Sequence, residues 1–271
     1  MMIHIYFLLI ILSVVLIILI YTCKSKLISG SIQLIPRQIF QTHKDIATVK
    51  KLGLDKFAKD LIDKNPEYNY YFYDDNDCEE YIKNNFDQSI YDVYKRLKHP
   101  VARSDFWRAL IIYKEGGIYI DMDNKLSKPL REIIQPDDQF LKGITWVHRN
   151  QPNPQSFIIS TARHPVMEKM VNHIIQSIIN NKPIMEVCNQ KSVWRLLEGY
   201  TGTPAMWKAL VDVIGTCELK PGKYEDGVRL VQGKGLGSVL IIDPDYKRNL
   251  KSNKISHWME HGDRYSDIFY Y

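Results

Sequence analysis

Two aspartates separated by one residue, Asp121 and Asp123, are the residues of this chain whose types and spacing most directly indicate chemistry. The apolar residues before them predict a buried strand over residues 118–121. If that strand continues, residues two apart share a face, so both carboxylates point the same way. Crowded carboxylates repel each other unless a cation or a shared proton lies between them. The pair could therefore hold Mg²⁺ or Mn²⁺, with phosphate oxygens and water completing the shell. The alternative is a solvated acidic loop, which an isolated D-x-D favours.

A second charged pair, Asp105 and Arg108, lies on the helix predicted for residues 101–115, directly before the acidic strand end. Side chains three apart share a helix face. They could form an ion pair on the surface, which the spacing alone favours. They could instead project toward the cleft of the acidic pair and hold hydroxyl or phosphate groups.

The elements that must position these residues alternate between strand and helix along the chain. Gly116 and Gly117 are expected to end the helix that carries Asp105, because glycine relieves strain just past the last turn. Alternation of this kind predicts an α/β sandwich with a mostly parallel sheet, in which ligands bind at the carboxyl ends of the strands. Strands are expected at residues 35–42, 68–73, 118–121, 228–232 and 238–242, and helices at residues 45–63, 78–86, 89–98, 101–115, 164–181, 187–199 and 204–214.

The first residues indicate a membrane anchor. Residues 3–21 are apolar apart from His4 and Ser13, and at helical rise they span the hydrocarbon core of roughly 30 Å. A cleaved signal peptide would have a basic start, a shorter apolar run and small residues at a cleavage site. We therefore predict an uncleaved transmembrane signal-anchor at 3–21, a stem at 22–33 and a single domain at 34–271. Lys24 and Lys26 follow the segment, and the positive-inside rule alone places that domain in the cytosol.

The composition excludes several classes of protein. The chain has 271 residues, a net charge of +5 and a charged fraction of 25%. A charge this small and evenly spread does not indicate nucleic-acid binding, so no nucleic-acid partner is expected. The four cysteines show no CxxC spacing and are too few for a disulfide scaffold, so they neither require nor exclude an oxidising compartment.

The residues around the acidic pair resemble the signature of a known family. The stretch ARSDFWRALIIYKEGGIYIDMD (102–123) is similar to that of the glycosyltransferases with a DXD sugar-binding region. This is family 32, which includes yeast initiating mannosyltransferases and inositol-phosphoceramide mannosyltransferases, with the clostridial glucosylating toxins as more distant relatives. Supporting matches are IPRQIFQTHKD (35–45), YNYYFYDD (68–75), HP (164–165) and TGTP (201–204).

The resemblance implies a GT-A fold, which is a Rossmann-like α/β/α sandwich, and a retaining transfer that depends on Mn²⁺ or Mg²⁺. It further implies a nucleotide-sugar donor linked to UDP or GDP, and a glycan, glycolipid or protein acceptor. In a eukaryotic host it implies a domain in the lumen of the Golgi or the endoplasmic reticulum, which conflicts with the two lysines after the anchor.

Carried over residue by residue, the resemblance places the metal and the donor diphosphate at Asp121 and Asp123. It makes Asp105 and Arg108 catalytic residues that hold the donor sugar, with Arg103 beside them. Donor binding near the nucleotide base is assigned to two residues of the opening strand, Gln41 and Thr42.

Two segments depart from the family pattern. His43 stands where tryptophan usually follows Gln-Thr, so base stacking would be altered. The C-terminal His…Gly-Ser-Trp motif is represented by ISHWMEH (255–261), in which His257 and Trp258 are the nearest matches for donor binding. His257 either reaches the metal or the leaving diphosphate, or packs in the interior. The missing Ser-Trp leaves a second hypothesis, a catalytically idle module of the same fold that binds a carbohydrate or a nucleotide-sugar.

Overall fold

The architecture is taken from a computed structural model, which describes residues 33–145, 151–152, 155–191, 196–232 and 238–240. Among these residues no helix is both long and apolar enough to cross a bilayer. The predicted anchor at 3–21, all but the last residue of the stem, and the candidate donor residues His257 and Trp258 lie outside the described residues.

Strands and helices alternate along the described ranges. The strands are β1 (Gln38–Thr42), β2 (Asn69–Tyr73), β3 (Gly117–Ile120), β4 (Asn124–Leu126), β5 (Phe140–Thr145), β6 (Gln151–Pro152), β7 (Phe157–Ser160), β8 (Glu186–Val187), β9 (Gln190–Lys191), β10 (Gly222–Lys223), β11 (Val228–Gln232) and β12 (Ser238–Leu240). The helices are α1 (Ile46–Leu52), α2 (Asp55–Lys64), α3 (Asp75–Asn85), α4 (Gln88–Arg96), α5 (Pro100–Glu115), α6 (Pro165–Ile179), α7 (Leu196–Thr201) and α8 (Thr203–Ile214).

The largest sheet has the order β10-β11-β5-β7-β3-β1-β2, and it is mixed rather than mostly parallel as predicted. Strand β1 pairs in parallel with β2 and β3, and β11 with β5, but β7 runs antiparallel to both β3 and β5. Parallel strands need a long crossover, and the chain passes from β5 to β7 through a short connection without a described helix. Because β3 and β5 both oppose β7, the carboxyl ends of β1, β2, β3 and β5 still lie at one edge.

Alternate residues of the strands supply the cores on the two faces of the sheet. Phe40 and Tyr119 belong to a cluster that includes residues of α5, α6 and α8. Their neighbours Ile39 and Ile118 belong to a second cluster, which includes Leu61 of α2. This alternation is what the period of two in a strand requires, and it gives the described residues an α/β/α layering.

Helix α5, which carries Asp105 and Arg108, is fixed at both ends. His99 begins it by accepting a hydrogen bond from the Val101 backbone N–H at its Nδ1, with Pro100 in the first turn. Gly116 and Gly117 end it with φ of 68° and 97°. A side chain at Gly116 would meet the Ala162 backbone nitrogen at 2.5 Å. The two glycines thus turn the chain directly from α5 into β3, as the sequence predicts.

The bounds predicted for two helices are wrong. The helix expected at 45–63 is divided into α1 and α2, because Gly53 takes a left-handed conformation (φ 71°) and caps α1. The first five residues of the helix expected at 187–199 belong to the β8–β9 hairpin, while residues 196–199 are helical and belong to α7. The two turn residues of the hairpin, Cys188 and Asn189, have φ of 54° and 59°, which matches the type I′ turn that suits two-residue hairpins. A disulfide joins Cys188 to Cys217 after α8 and holds this hairpin.

The ion pair between Asp138 and Arg229 joins the start of β5 to β11. The Arg229 Nε and Nη2 atoms donate to the two Asp138 carboxylate oxygens at 2.6 Å each, and Asp138 is only 1% exposed. Breaking a buried pair from one side leaves the partner charge unsolvated, which costs about 3–5 kcal/mol. We expect Asp138→Asn to lower the free energy of unfolding by about this amount in urea denaturation.

The neighbouring residue provides the matched control. Asp137 pairs with Lys223 at the surface, where both side chains are more than half exposed. Asp137→Asn is expected to leave the denaturation midpoint close to that of the wild type, because exposed pairs contribute little. Equal midpoints for both variants would contradict the structural role given to Asp138.

Candidate active site

Asp105 and Arg108 meet Asp121 in the interior. Arg108 lies between the two acids, with Nη1 3.5 Å from Asp105 Oδ1 and Nη2 3.3 Å from Asp121 Oδ1. Asp105 is 9% exposed and Arg108 7% exposed. The surface ion pair favoured by the helix spacing is therefore wrong, because this face of α5 packs on the sheet where β3 ends.

The acidic pair is brought together by a turn and not by a continuing strand. Strand β3 ends at Ile120, and the Asn124 N–H donates to the Asp121 carbonyl at 3.0 Å. The Asp121 N–H in turn donates to the Ser156 carbonyl at 2.8 Å, which fixes where Asp121 leaves the sheet. The alternation expected for residues 121–123 is wrong for this reason, although the two carboxylates remain neighbours.

The two carboxylates act on each other electrostatically. Burial raises the pKa of Asp123 to about 6, and the negative charge of Asp121 adds to this rise. The positive charge of Arg108 opposes the rise without cancelling it. A partly buried acid with an anionic neighbour is a group whose charge a bound cation would stabilise.

Tyr119 is a site residue that the sequence analysis missed. Its hydroxyl donates to Asp121 Oδ1 at 2.5 Å, and the Arg108 guanidinium lies over its ring, 4.5 Å from the centroid. Burial raises the pKa of Tyr119 well above its usual value, so the hydroxyl remains a donor. The signal was present, because Tyr119 stands two residues before Asp121, and residues two apart along a strand share a face.

Asp105 also accepts a hydrogen bond from a residue of a second helix, α7. Burial raises the pKa of Asp105 to about 6, while the Arg108 charge and a hydrogen bond from Thr201 act in the opposite direction. The Thr201 Oγ1 atom donates to Asp105 Oδ2 at 3.1 Å. Thr201 ends α7 and is the first residue of the TGTP match, so the structure gives that segment a contact with the candidate site.

The contact between Thr201 and Asp105 gives a testable prediction. Thr201→Val keeps the shape of the side chain and removes the hydroxyl donor from a buried carboxylate. We expect stability to fall by about 1–3 kcal/mol at neutral pH, because Asp105 loses a hydrogen bond to its charged form. Thermal unfolding at neutral pH and near pH 5 tests this. The loss should shrink at the lower pH, where Asp105 is protonated in both proteins, and a loss independent of pH would contradict it.

The side chains of Gln41 and Thr42 form hydrogen bonds to other groups of the protein, next to the acidic strand end. Gln41 Nε2 donates to the carbonyls of Ile120 and Asp121, at 3.1 and 3.3 Å, and its Oε1 accepts from the Tyr70 hydroxyl at 2.9 Å. Thr42 Oγ1 donates to the Tyr73 carbonyl at 2.8 Å. Gln41 therefore holds the backbone that presents Asp121, and its amide is engaged within the protein.

Arg103 lies beside the cluster, facing a small cavity. Its Nε donates to the Leu97 carbonyl at 2.7 Å, and its guanidinium lies 5.6 Å from the Tyr94 ring centroid. With Thr42 and Ser104 it lines a cavity of about 40 Å³ near the carboxyl end of β1. Ser104 also accepts a hydrogen bond from Arg108 Nη2 at 3.1 Å, so the cavity adjoins the acidic cluster.

His43 follows β1 at the same edge of the sheet. Burial lowers its pKa, while the charges of Asp45 and Asp121 act in the opposite direction. Its buried Nδ1 finds no hydrogen-bond partner within the part of the chain that the structure describes. The imidazole is thus a neighbour of the acidic cluster, where the family pattern has an indole.

The carboxylates at this edge suit a divalent cation. In the described ranges no three His, Cys, Asp or Glu side chains converge in a way that could hold a metal. At the acidic turn these ranges provide the carboxylates of Asp121 and Asp123. Hard oxygen donors of this kind match Mg²⁺ or Mn²⁺, which commonly take their remaining ligands from substrate phosphates and water. The raised pKa of Asp123 agrees with such an arrangement, and whether His257 joins it stays a prediction.

Comparison with known proteins identifies the region that contains this site. Residues 54–141 match the family model described as a glycosyltransferase sugar-binding region containing a DXD motif. This part of the chain is similar to the sugar-binding region of the DXD glycosyltransferases. The match includes α5, β3 and the acidic turn, so Asp105, Arg108, Asp121 and Asp123 all lie inside it, and the resemblance drawn from the sequence is confirmed.

Curated relatives agree with this family. The chain is 31% identical over 112 residues to the initiation-specific alpha-1,6-mannosyltransferase of Candida albicans, covering 40% of this chain and 29% of that protein. It is 30% identical over 146 residues to the mannosyl phosphorylinositol ceramide synthase CSH1 of Saccharomyces cerevisiae, covering 52% of this chain and 36% of that protein. The chain therefore spans about a third of the length of these two relatives.

The fold is also similar to that of a solved glycosyltransferase structure. The solved structure of the PaToxG glycosyltransferase superposes with a TM-score of 0.51 and 18% identity, covering 68% of this chain and 71% of that one. At this identity the likeness concerns the fold alone. A mixed sheet between helical layers with such a neighbour supports the predicted GT-A-like fold.

Proposed function

We propose that this DXD glycosyltransferase domain transfers a hexose from a UDP- or GDP-linked donor to a glycan, glycolipid or protein hydroxyl, with retention at the anomeric carbon and dependence on Mn²⁺ or Mg²⁺. The observation that carries the proposal is the buried cluster at the carboxyl edge of the sheet, in which Arg108 bridges Asp105 and Asp121 beside Asp123. Mannose is the first sugar to test, because both relatives named above carry mannosyl transfer in their names.

Each residue of the cluster has a role in this proposal. The bond between the anomeric carbon and the diphosphate breaks, and its electron pair leaves with the diphosphate. The acceptor oxygen forms the new bond to the anomeric carbon on the same face, and the proton of the acceptor hydroxyl passes to the departing diphosphate. Asp121 and Asp123 would hold a Mn²⁺ or Mg²⁺ ion, which when bound stabilises that leaving charge. Asp105, held by Arg108 and Thr201, would lie near the donor sugar, where its negative charge favours positive charge developing at the anomeric carbon.

A donor screen with two readouts tests this proposal. Thermal unfolding is measured with UDP- and GDP-sugars, with and without Mn²⁺, because a ligand that binds only the folded state raises its stability with concentration. Release of nucleoside diphosphate is measured on the same donors. We expect one donor class to stabilise the protein only with Mn²⁺ and to be turned over. Stabilisation without any release across donors and acceptors would favour the idle binding module instead.

We further propose that the domain works in an oxidising compartment, behind the anchor predicted at residues 3–21. The observation that supports this location is the disulfide between Cys188 and Cys217, since such bonds persist in secretory compartments and are rare in the cytosol. The disulfide thus favours the lumenal orientation implied by the family over the cytosolic one implied by the lysines after the anchor.

Activity should depend on pH through the two acids with raised pKa values. Asp105 and Asp123 each have a pKa of about 6, and the proposal requires both as carboxylates. Above that pH both are ionised, and below it each takes up a proton. We therefore expect kcat/KM to rise between about pH 5 and pH 7 and then to level off. A profile measured at constant ionic strength that stays flat across this range would contradict the assignment.

A further inference from the structure

Lys142 is a fully buried lysine in the middle of β5. Phe140 and Ile144, two residues to either side, belong to the core cluster that α5 and α6 cover, so the alternation of the strand directs Lys142 to the same face. Its exposure is 0%, and burial together with the positive charge of Arg108 lowers its pKa to about 7. A charged group at such a position lowers stability relative to an apolar side chain of similar size.

The ammonium group of Lys142 lies beneath the candidate active site. Its Nζ donates to the Phe157 carbonyl at 2.7 Å. Phe157 pairs with Ile120 at the end of β3, and the preceding carbonyl, that of Ser156, accepts the Asp121 N–H. Lys142 therefore contacts the residue of β7 that pairs with the end of β3, from which Asp121 leaves the sheet. It does so on the face where the Arg108 guanidinium lies over the Tyr119 ring.

The electrostatic surroundings of Lys142 are those of the site. The charges of Arg108 and Asp121 are the ones that act on it most. Arg108 is already paired with two acids, so Lys142 adds its positive charge to a site that already contains a buried cation. Placing two positive groups below one site does suit a ligand that brings several negative charges of its own.

We propose that Lys142 is a positioning residue of the donor site, which fixes the strand end that presents Asp121 and adds a second buried positive charge to the field that holds the donor diphosphate. This inference rests on the proposed function and names a residue to which neither the DXD motif nor the helix pair points. It makes Lys142 a residue kept for ligand binding at the expense of stability.

Lys142→Met is the variant that tests it, because methionine has nearly the length of lysine and carries no charge. Ile144→Met is the matched control, since it introduces methionine on the same face of the same strand without removing a charge. Three properties are measured for the full chain at a temperature where each protein is folded. These are the unfolding midpoint without ligand, the affinity for UDP and GDP in the presence of Mn²⁺, and nucleotide-sugar turnover.

For Lys142→Met we expect an unfolding midpoint equal to or above that of the wild type, with affinity for the nucleoside diphosphate and turnover each lower by roughly tenfold to a hundredfold. Ile144→Met should bind and turn over like the wild type. The inference is overturned if Lys142→Met binds and reacts like the wild type. It is also overturned if the variant is destabilised or fails to fold, because the lysine would then serve the fold itself.

If the proposed function is wrong, the same experiment gives a different result. A wild-type protein that neither binds a nucleoside diphosphate with Mn²⁺ nor turns over any donor would overturn the proposed function and this inference together. A wild type that does both, beside an equally active Lys142→Met, would overturn the role of Lys142 alone.

Discussion

Replacing Asp123 with asparagine is expected to lower kcat/KM for sugar transfer by at least about a hundredfold without weakening the fold. The substitution keeps the size of the side chain and removes one of the two carboxylates proposed to hold the cation against the donor diphosphate. Turnover of the preferred donor at saturating Mn²⁺ measures the effect. Asp63→Asn, on the exposed end of α2, is the control and should retain full activity.

Stability provides the second readout for Asp123→Asn. The pKa of Asp123 is raised in the folded protein, so folding favours the protonated acid, and the carboxylate destabilises the metal-free fold above about pH 6. The neutral amide should therefore match or raise the unfolding midpoint at neutral pH, and this advantage should vanish near pH 4, where the wild-type acid is protonated. An active variant, or an inactive one that is also unfolded, would contradict the role given to Asp123.

Replacing Arg108 with methionine is expected to have the largest effect on stability in this site. The substitution removes the cation between Asp105 and Asp121 and leaves the carboxylate of Asp105 buried without its ion-pair partner. Removing one partner from a buried pair costs about 3–5 kcal/mol. Urea denaturation at neutral pH should show a loss of this size, together with loss of transfer activity.

Two further variants separate charge from geometry at Arg108. Arg108→Lys keeps a positive charge but cannot contact both acids through a planar fork, so it should recover part of the stability and little of the activity. The double variant Asp105→Asn with Arg108→Met removes the buried acid together with its partner and should be more stable than Arg108→Met alone. A loss below about 1 kcal/mol in Arg108→Met would show that the pair is screened as at a surface.

The sequence predicted those parts of the site that lie close together along the chain. Asp121 and Asp123 stand at the end of an apolar run, and Gly116 with Gly117 stops the preceding helix, so one short stretch contains a helix, a turn, a strand and two acids. Local spacing did not decide where Asp105 and Arg108 point. A helix face becomes buried or exposed only when the sheet packs against it, and the spacing favoured the surface.

Thr201 and Lys142 join the site through contacts that no local sequence pattern contains. Thr201 reaches Asp105 across 96 positions of the chain. Lys142 lies in a strand that the sequence did not predict, and its burial depends on the helices α5 and α6, which cover that face of the sheet. The direction of β7 itself follows from a short connection after β5, whereas strand–helix alternation alone predicts parallel pairing.

The β8–β9 hairpin shows that local sequence patterns also failed to predict part of the local structure. Residues 187–199 have the composition of a helix, but Cys188 and Asn189 adopt left-handed conformations, and a disulfide to Cys217 holds that turn. With four cysteines and no regular spacing, the pairing could not be chosen from the sequence. Helix propensity alone thus did not decide the conformation of residues 187–191.

Binding of Mn²⁺ in the presence of a nucleoside diphosphate tests the central claim most directly. Electron paramagnetic resonance of free Mn²⁺, titrated with protein and either UDP or GDP, measures it for the wild type and for the two variants Asp121→Asn and Asp123→Asn. We expect tight binding by the wild type with one nucleotide and an affinity at least about tenfold lower in each variant. Equal Mn²⁺ affinity in all three proteins would contradict the claim that this acidic turn holds a cation against the donor diphosphate.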